Sequence, residues 1–467
     1  MSRKGSAFIT PRVAMGMVKR VLTVAGSDSG GGAGIQADLK TFAALGVHGM
    51  SAITCITAQN TETVTAIHQV PAEIIREQIR VVTVDIGVDA VKTGMLFSEE
   101  IIESVADELS EIKVPLVVDP VAVAKSGAPL LKPNAVDALV KKLLPLATVV
   151  TPNINEAKLL TGIEISSAEE MVDAAHRIAE MGPEAVVVKG GHLPGETTMD
   201  ILLYAGNIYK FAAEKIHTRN THGTGCVFAS ATAAYLAKGW KIPQAVQAAQ
   251  RFVNEAIKRG LDIGRGYGPV HPTGAVYENS EKLTALRQLK EALKMIEREE
   301  SFQRLIPESG SNIVVATEYA SSPEDVVGVP GRIVKTPDGF TSALEPWFGA
   351  SRHVANAVLT AMKHDPSVKS AANIRFDDEI LSTLEALGLS VSSYDRGAEP
   401  EEVKKEEGRT IPWGIEEAIR KAGGVVDVVY HRGDVGKEPM AVVFGVDAYD
   451  VVRKLLRLSR RLAGVEI

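Results

Sequence analysis

Cysteine, aromatic residues and long apolar runs are all scarce in this chain of 467 residues. Its two cysteines, Cys55 and Cys226, lie far apart, so we expect no disulfide framework and a reducing, cytoplasmic location. No apolar run approaches the roughly 20 residues that span a bilayer, so no membrane partner is expected. Residues 1–19 lack the apolar core of a signal peptide and are interpreted as a disordered leader.

The chain also has no excess of positive charge. The formal net charge is -7, with both signs interspersed, whereas nucleic-acid-binding domains usually present a basic face. The chain is 45% hydrophobic and 23% charged, which is typical of globular proteins, and it is long enough for two or three domains. We therefore expect small-molecule substrates and no nucleic acid.

Strand-like and helical patterns alternate over residues 20–275. Such alternation predicts an α/β domain with a mainly parallel sheet flanked by helices. The predicted strands are 20–26, 49–57, 90–93, 115–119, 148–151 and 185–189, with a hairpin near 201–211. The predicted helices are 35–45, 72–85, 99–109, 133–144, 168–181 and one starting at 226.

A second α/β pattern follows a Gly- and Pro-rich exit at 264–273. Residues 276–305 are expected to form a linker helix, because leucines recur there at steps of three and four. This helix either packs on one domain or forms a dimer contact. Strands and helices then restart, which predicts a second, smaller α/β domain over 306–467 with an exposed loop at 395–409.

A glycine-rich turn, Gly26 to Gly34, joins the first predicted strand to a helix. Glycine permits positive φ and close approach of the backbone to a ligand. The turn is neither a Walker loop, since no Gly-Lys-Ser/Thr follows, nor a dinucleotide fingerprint, since the third glycine is missing. Taken alone, it is either a ligand loop or an ordinary turn.

A second turn, Asn220 to Cys226, precedes a helix of small residues and contains Gly223, Thr224 and Gly225. Backbone N–H groups at a helix start form an anion hole suited to a transferring phosphoryl group. Cys226 stands at the helix start, where we expect a lowered thiol pKa and a thiolate able to accept a hydroxyl proton. The alternative is that Cys226 is a small buried hydrophobe.

Charged residues follow several predicted strands. Asp119, Glu156 and Lys189 come after successive strands, and ligands of open α/β sheets bind beyond the carboxyl ends of strands. Asp119 and Glu156 are suitable oxygen ligands for Mg²⁺, and Lys189 is suited to neutralise a phosphate. Each of them singly could instead be a cap or turn residue.

Eight motifs in sequence order carry a family resemblance. They are GSDSGGGAGIQADLKTF, ITAQNT, KTGML, DPV, KSG, TPNINEA, VKGGH and NTHGTGC. Residues 20–275 thereby resemble the hydroxymethylpyrimidine/phosphomethylpyrimidine kinases, a branch of the ribokinase-like superfamily. The resemblance implies ATP and Mg²⁺ as cofactors, two successive phosphorylations of an aminopyrimidine alcohol, and an oligomer, with a homodimer expected.

The same resemblance implies the residues of the kinase site. The pyrimidine would be held by Gly26, Ala33, Asp38, Thr57, Gln59 and Met95. Asp38 and Gln59 offer the donors and acceptors that an amino group and ring nitrogens need. Lys189, Asn220 and Thr224 would bind the phosphates of ATP. Most ribokinase-like enzymes carry an aspartate base where Cys226 stands, and the cysteine points to the pyrimidine and pyridoxine branch.

Basic, acidic and histidine residues also stand at element ends in residues 306–467. Each of them is either a site residue or a surface cap. EPWFGASRH, KSAANIRFDDEIL, EGRTIPWGIEEAI and VVYHRGDVGKEPMAVVFG resemble the thiamine-phosphate synthase domain found fused to this kinase, the ThiD–ThiN arrangement. That resemblance implies Arg332 and His353 as site residues. Our hypothesis for their roles is that Arg332 grips pyrophosphate and His353 hydrogen-bonds or protonates it. Asp377 and Asp434 are further Mg²⁺ candidates.

Two alternative functions stay open at this point. The C-terminal domain could sense thiamine phosphates without turnover, although Arg332 and His353 are both present and no DNA-binding segment is evident. The kinase could also prefer pyridoxal or pyridoxine over the aminopyrimidine. The leading prediction is a bifunctional transferase of thiamine biosynthesis, in which the kinase product is the synthase substrate.

Overall fold

The computed structural model describes residues 18–124, 127–191, 193, 195–342, 344–406, 408–434 and 436–465. The predicted leader lies almost wholly outside this part of the chain. By internal contacts the chain divides into two compact units, Met1–Val276 and Tyr277–Ile467. Among the described residues, no helix combines the length and apolar character needed to cross a membrane.

The first unit is a nine-stranded sheet with helices on both faces. Its strands are β1 (Arg20–Asp28), β2 (His48–Gln59), β3 (Val64–Gln69), β4 (Ala90–Thr93), β5 (Leu116–Val118), β6 (Val149–Val150), β7 (Ala185–Lys189), β8 (Thr197–Tyr204) and β9 (Asn207–Glu214). Its helices are α1 (Gly34–Ala44), α2 (Ala72–Asp85), α3 (Glu99–Ser110), α4 (Ala135–Ala138), α5 (Ile154–Thr161), α6 (Ala168–Ala179), α7 (Thr224–Ala237) and α8 (Ile242–Lys258).

The strand order is β3-β2-β1-β4-β5-β6-β7-β8-β9. The six adjacent strands β2, β1, β4, β5, β6 and β7 are parallel, while β3, β8 and β9 run antiparallel to their neighbours. One apolar core packs α2, α3, α4 and α6 against one face, and another packs α1, α7 and α8 against the opposite face. The mainly parallel, two-faced architecture expected from the sequence is confirmed, and all six parallel strands end at one edge.

Three details of the first unit differ from the expectation. β3 and α5 were not predicted. The predicted helix over 133–144 is short, because α4 passes into a π-helical turn, Leu139–Leu143, and then a 3₁₀ turn, Leu144–Leu146. Pro145 lacks the backbone N–H that a continuing helix would use, which accounts for the end of the helix there.

The second unit is built on a seven-stranded sheet. Its elements are α9 (Gly274–Ile296), β10 (Ile313–Ala316), β11 (Val326–Gly328), β12 (Ile333–Thr336), β13 (Gly339–Ser342), β14 (Trp347–Phe348), α10 (Arg352–His364), β15 (Ser370–Arg375), α11 (Asp378–Ala386), β16 (Val391–Ser393), α12 (Glu401–Lys405), α13 (Thr410–Ala422), β17 (Val428–His431), β18 (Met440–Gly445) and α14 (Ala448–Leu462). The strand order is β14-β11-β10-β15-β18-β17-β16, and β12 pairs with β13 in a separate hairpin.

This second α/β unit is confirmed, but its sheet is mainly antiparallel, with β16 and β17 as its parallel pair. Helices α9, α11 and α14 pack on one face, and α10 and α13 on the other. Ala285, Leu289 and Leu293 of the predicted linker helix are buried in this core. The exposed loop expected at 395–409 is wrong in part, because it contains α12 and the buried Glu399.

Candidate active site

A cavity of about 1020 Å³ opens in the first unit where the parallel strands end. Both glycine-containing turns line it, together with the polar residues that follow β5, β6 and β7. Of the predicted site residues, it brings together Gly26, Ala33, Thr57, Gln59, Met95, Asp119, Glu156, Lys189, Gly223, Thr224, Gly225 and Cys226. The sequence motifs therefore converge on one site, as parallel strands require.

Asp28 organises the glycine-rich turn after β1. Its carboxylate accepts backbone hydrogen bonds from Gly30 (2.8 Å), Gly32 (3.1 Å) and Ala33 (2.8 Å). His222 Nε2 lies 2.9 Å from Asp28 Oδ2. Burial opposes ionisation of Asp28, but the hydrogen bonds from His222 and the loop amides hold its pKa below the ordinary value. Asp28 and His222 thus join the two turns, a role that sequence reasoning missed.

The second turn places the start of α7 against the first turn. Gly223 has φ 86°, and a Cβ at this position would lie 1.9 Å from the carbonyl oxygen of Gly32. Only glycine combines this conformation with so close an approach. The Thr224 hydroxyl donates to the Thr221 carbonyl (2.6 Å). The first residues of α7 line the cavity, so the positive end of the helix dipole faces it.

Cys226 lies at the predicted place, but its predicted ionisation is wrong. Burial raises the pKa of the thiol to about 12, with Asp38 and Asp119 adding to the effect and Lys92 opposing it. The loss of solvation disfavours a charged sulfur, and the backbone N–H of Gly34, which favours it, offsets only part of this effect. Without ligands the residue is therefore a neutral thiol.

Asp119, Glu156 and Lys189 form a charged group at the edge of the sheet. Lys189 Nζ lies 3.0 Å from Asp119 Oδ1, and both side chains are nearly buried. Glu156 closes a capping box at the start of α5, where its Oε2 accepts the Asn153 amide (2.8 Å). Burial raises the pKa of Glu156 to about 7, Lys189 opposes that shift and Asp119 adds to it.

The oxygen atoms of Asp119 and Glu156 suit a hard divalent cation. Mg²⁺ commonly takes one or two carboxylates and completes its coordination with water and substrate phosphates. A cation would relieve the repulsion between the two carboxylates that helps raise the pKa of Glu156. Within the described residues no group of three or more His, Cys, Asp or Glu side chains could hold a metal by itself. The pair therefore fits Mg²⁺ brought in with a nucleotide.

Asp38 does not line the cavity, contrary to the expectation that it contacts the pyrimidine. It is fully buried, and its oxygens are taken up by Lys92 (2.9 and 3.0 Å), Thr23 (2.6 Å) and Ser230 (2.6 Å). Lys92 does line the cavity and was missed as an individual residue. A lysine within the apolar strand AVKT was the signal that could have identified it.

Asn220 is likewise absent from the cavity lining, contrary to its predicted role in phosphate binding. Its side chain lies under the backbone of residues 260–268, and its Nδ2 is 3.5 Å from the Gly260 carbonyl oxygen. A Cβ at Gly268 would lie 2.2 Å from Asn220 Oδ1. Asn220 thus supports a neighbouring loop.

Arg332 and His353 of the second unit occupy different elements. Arg332 follows β11, is exposed, donates to the Ser309 carbonyl and has φ 68°, which is unusual for a residue with a side chain. His353 is the second residue of α10 and is exposed. A Cβ at Gly328 would lie 3.3 Å from Ser351 Cβ, so the start of α10 approaches the end of β11 that leads to Arg332.

The acidic Mg²⁺ candidates of the second unit have other contacts. Asp377 caps α11 by accepting the Ile380 amide (2.8 Å), and it pairs with Arg375. The backbone of Asp434 forms an isolated β-bridge with that of Lys437, which places Asp434 in a turn. These contacts agree with the alternative that such residues are caps and turn residues.

Comparison with known proteins gives matches for both units. Residues 28–271 match the family model for phosphomethylpyrimidine kinase. Residues 288–457 match the model for the thiamine-phosphate synthase ThiN. The two matches follow the order of the two units.

Individual relatives agree with the first match. The hydroxymethylpyrimidine/phosphomethylpyrimidine kinase of Rhizobium meliloti is 52% identical over 258 residues, covering 55% of this chain and 97% of that protein. The thiamine biosynthesis bifunctional protein ThiED of Geobacter sulfurreducens is 51% identical over 252 residues. That match covers 54% of this chain, and the chain spans about half the length (51%) of that relative.

Solved structures of pyridoxal kinases share the fold. The Staphylococcus aureus pyridoxal kinase in complex with AMP-PCP and pyridoxal superposes with a TM-score of 0.52 at 39% identity, covering 55% of this chain and 94% of that chain. The ADP complex of the Bacillus subtilis pyridoxal kinase gives a TM-score of 0.52 at 39% identity, covering 56% of this chain and 99% of that chain.

Proposed function

Because the chain belongs to the phosphomethylpyrimidine kinase family and also carries a ThiN thiamine-phosphate synthase domain, we propose that it makes thiamine phosphate in successive steps. Residues 20–275 phosphorylate 4-amino-5-hydroxymethyl-2-methylpyrimidine and then its monophosphate, with ATP as donor. Residues 306–467 couple the resulting diphosphate to a thiazole phosphate and release pyrophosphate. The observation that carries the kinase proposal is the convergence of α7, Lys189 and Cys226 on one cavity.

In the kinase step the protein mainly positions the reactants and stabilises charge. The amides at the start of α7 donate to oxygens of the transferring phosphoryl group, and Lys189 neutralises part of their charge. Asp119 and Glu156 would hold Mg²⁺, which would supply positive charge to offset the negative charge that develops during the transfer. ATP binding is supported by the nucleotide complexes of the related pyridoxal kinases.

Cys226 is placed to receive the proton of the substrate hydroxyl. Because its thiol is neutral in the ligand-free site, it must first release its own proton to water in the open cavity. Lys92 lowers the pKa of the thiol, in opposition to burial, and so favours the charged form. We assign Cys226 as the proton acceptor and Lys92 as the neighbouring cation that favours its ionisation.

In the second unit, loss of pyrophosphate would leave a stabilised pyrimidine carbocation for the thiazole nitrogen to capture. Such chemistry needs stabilisation of the leaving group and correct positioning. Arg332 suits pyrophosphate because its planar guanidinium forms bidentate hydrogen bonds. His353 lies in the first turn of α10, where an anion is also favoured.

We also propose that the protein is a cytoplasmic homodimer. Analytical ultracentrifugation would measure the number of subunits.

The test incubates the whole chain with the aminopyrimidine alcohol, ATP, Mg²⁺ and thiazole phosphate, and follows the products by mass over time. We expect the monophosphate, the diphosphate and then thiamine phosphate. Diphosphate that accumulates without thiamine phosphate would support the alternative of a sensing C-terminal domain. No phosphorylated pyrimidine would overturn the kinase proposal.

Pyridoxal is a second candidate substrate, because the S. aureus relative binds it. A substrate panel therefore compares pyridoxal with the aminopyrimidine by kcat/KM. We expect the aminopyrimidine to be preferred. A preference for pyridoxal would replace the first half of the proposal with vitamin B6 phosphorylation.

A further inference from the structure

Gln59 lies between two polar neighbours at the edge of the cavity. Its Oε1 is 3.1 Å from Thr57 Oγ1, and that hydroxyl is 2.9 Å from the Ser27 carbonyl oxygen. On the other side, Gln59 Nε2 is 3.3 Å from His222 Nε2, which lies 2.9 Å from Asp28 Oδ2. These atoms form one chain of contacts from Ser27 to Asp28.

The hydroxyl of Thr57 cannot satisfy both of its neighbours. It has a single hydrogen. Of its two acceptors, the Ser27 carbonyl oxygen is nearer, at 2.9 Å against 3.1 Å, and is fixed in the backbone, whereas the Gln59 amide can turn. Thr57 Oγ1 is then available only as an acceptor toward Gln59. The amide oxygen facing it is also an acceptor, so this contact joins two acceptors.

At the other end of the amide, the nitrogen of Gln59 faces a second donor. Asp28 is ionised, so its Oδ2 can only accept, and His222 Nε2 at 2.9 Å must carry the hydrogen between them. A ring nitrogen that carries this hydrogen cannot accept another from Gln59 Nε2. The contact at 3.3 Å therefore joins two donors.

One rotation removes both mismatches. Turning the amide of Gln59 by 180° exchanges its oxygen and nitrogen at nearly unchanged positions. Nε2 then donates to Thr57 Oγ1, and Oε1 accepts part of the His222 hydrogen bond. One N–H and one lone pair of the amide remain for a ligand. Because both neighbours have fixed hydrogen-bonding roles, this orientation is the one they select.

We propose that Thr57, acting with His222, locks the Gln59 amide in this turned orientation and thereby selects a heteroaromatic alcohol with an amino group beside a ring nitrogen. An amide that offers a donor and an acceptor pairs with such an edge in the way that glutamine pairs with adenine. Pyridoxal has no amino group to supply the donor. Thr57 is thus a positioning residue for specificity, and the proposal deepens the kinase function proposed above and rests on it.

The test is a double-mutant cycle on the full chain: wild type, T57V, Q59A and T57V/Q59A. Valine is close to threonine in shape and lacks the hydroxyl, so the amide of Gln59 becomes free to turn. We expect the ratio of kcat/KM for the aminopyrimidine to that for pyridoxal to fall roughly fivefold to tenfold in T57V, the effect of one hydrogen bond. The change should appear mainly in KM for the pyrimidine.

In the Q59A background T57V should produce no further change in the ratio, because Thr57 acts through Gln59. T57S, which restores the hydroxyl, should rescue the ratio. An unchanged ratio in T57V, or an equal change with and without Gln59, would overturn the proposal. Thermal unfolding of each variant identifies any loss of folding. If the wild type prefers pyridoxal, the pyrimidine-kinase function fails, while the coupling in the cycle still decides the role of Thr57.

Discussion

Lys92 Nζ lies 2.9 Å from Asp38 Oδ2, and both side chains are fully buried. Although burial opposes its charge, Asp38 raises the pKa of Lys92 above the ordinary value, so the lysine stays protonated. Thr23 and Ser230 donate to the same carboxylate. Ser230 is one turn beyond Cys226 on α7, so the ion pair connects the strand β4 to the helix that carries the proposed proton acceptor.

Replacing only one residue of this ion pair should destabilise the protein more than replacing both. We expect Lys92→Met to lower the free energy of unfolding of the first unit by about 3–5 kcal/mol, because it leaves the buried, charged Asp38 without its counter-ion. Asp38→Asn in the same chain should recover much of that loss. Denaturant unfolding monitored by circular dichroism measures both.

The exposed pair Lys141–Asp137 provides the matched control. There Lys141→Met should leave the denaturation midpoint almost unchanged, as is usual for surface ion pairs. An equally small effect at Lys92 would show that the buried pair does not contribute as we infer.

Cys226→Ala should abolish most kinase turnover. If the thiol accepts the hydroxyl proton, its removal should lower kcat at least ~100-fold, the usual contribution of general-base catalysis. Formation of thiamine phosphate from supplied pyrimidine diphosphate should continue. Mass detection of both products separates the two activities. Cys55→Ala is the control, since Cys55 is buried in the core, and unchanged kinase turnover in Cys226→Ala would remove the proton-acceptor role.

Glu156 should make the ligand-free protein less stable as the pH rises. Its folded-state pKa of about 7 exceeds the ordinary value of 4.5, so the folded protein binds the extra proton between these values. The stabilisation from this group is present below pH 4.5 and is lost as the pH approaches 7. Over this pH range the contribution of Glu156 to the free energy of unfolding falls by up to about 3 kcal/mol.

Glu156→Gln should flatten this dependence, because glutamine does not titrate. Denaturant unfolding at a series of pH values between 4.5 and 7.5, without nucleotide or metal, measures the slope. Equal slopes in the wild type and the variant would mean that Glu156 ionises normally. Added Mg²⁺ and ATP should raise the stability of the wild type at pH 7 more than that of the variant.

Arg332→Ala and His353→Ala should impair the synthase reaction and spare the kinase, whereas Cys226→Ala should do the reverse. Each should slow coupling of the pyrimidine diphosphate to the thiazole phosphate at least ~10-fold, because a charge-assisted hydrogen bond to the leaving group is lost. Kinase turnover should persist. Coupling that persists in both variants would place the synthase site elsewhere.

Arg332→Gly is a useful companion to Arg332→Ala. Glycine adopts φ 68° without strain, so this variant removes the guanidinium while favouring the local backbone conformation. Both variants should lose coupling if the guanidinium is required. If only the alanine variant loses activity, the backbone conformation rather than the charge is responsible.

Local sequence patterns were sufficient for most of the architecture. The apolar strands β1, β4, β5 and β7 stand out because both faces of a parallel strand are buried, and the alternation with helices then indicates the sheet. Strand β3 was missed because it lies at the sheet edge and exposes much of its surface. It therefore lacks an apolar signature.

The sequence by itself determined which segments converge on the site, since the ends of parallel strands must meet at one edge. Only the tertiary structure decided the role of single polar residues. Asp38 faces Lys92, 54 positions away, rather than the cavity, and burial reverses the pKa shift expected for Cys226. The physical reason is that solvation and partner choice depend on neighbours distant in sequence, whereas strand and helix patterns depend on adjacent residues.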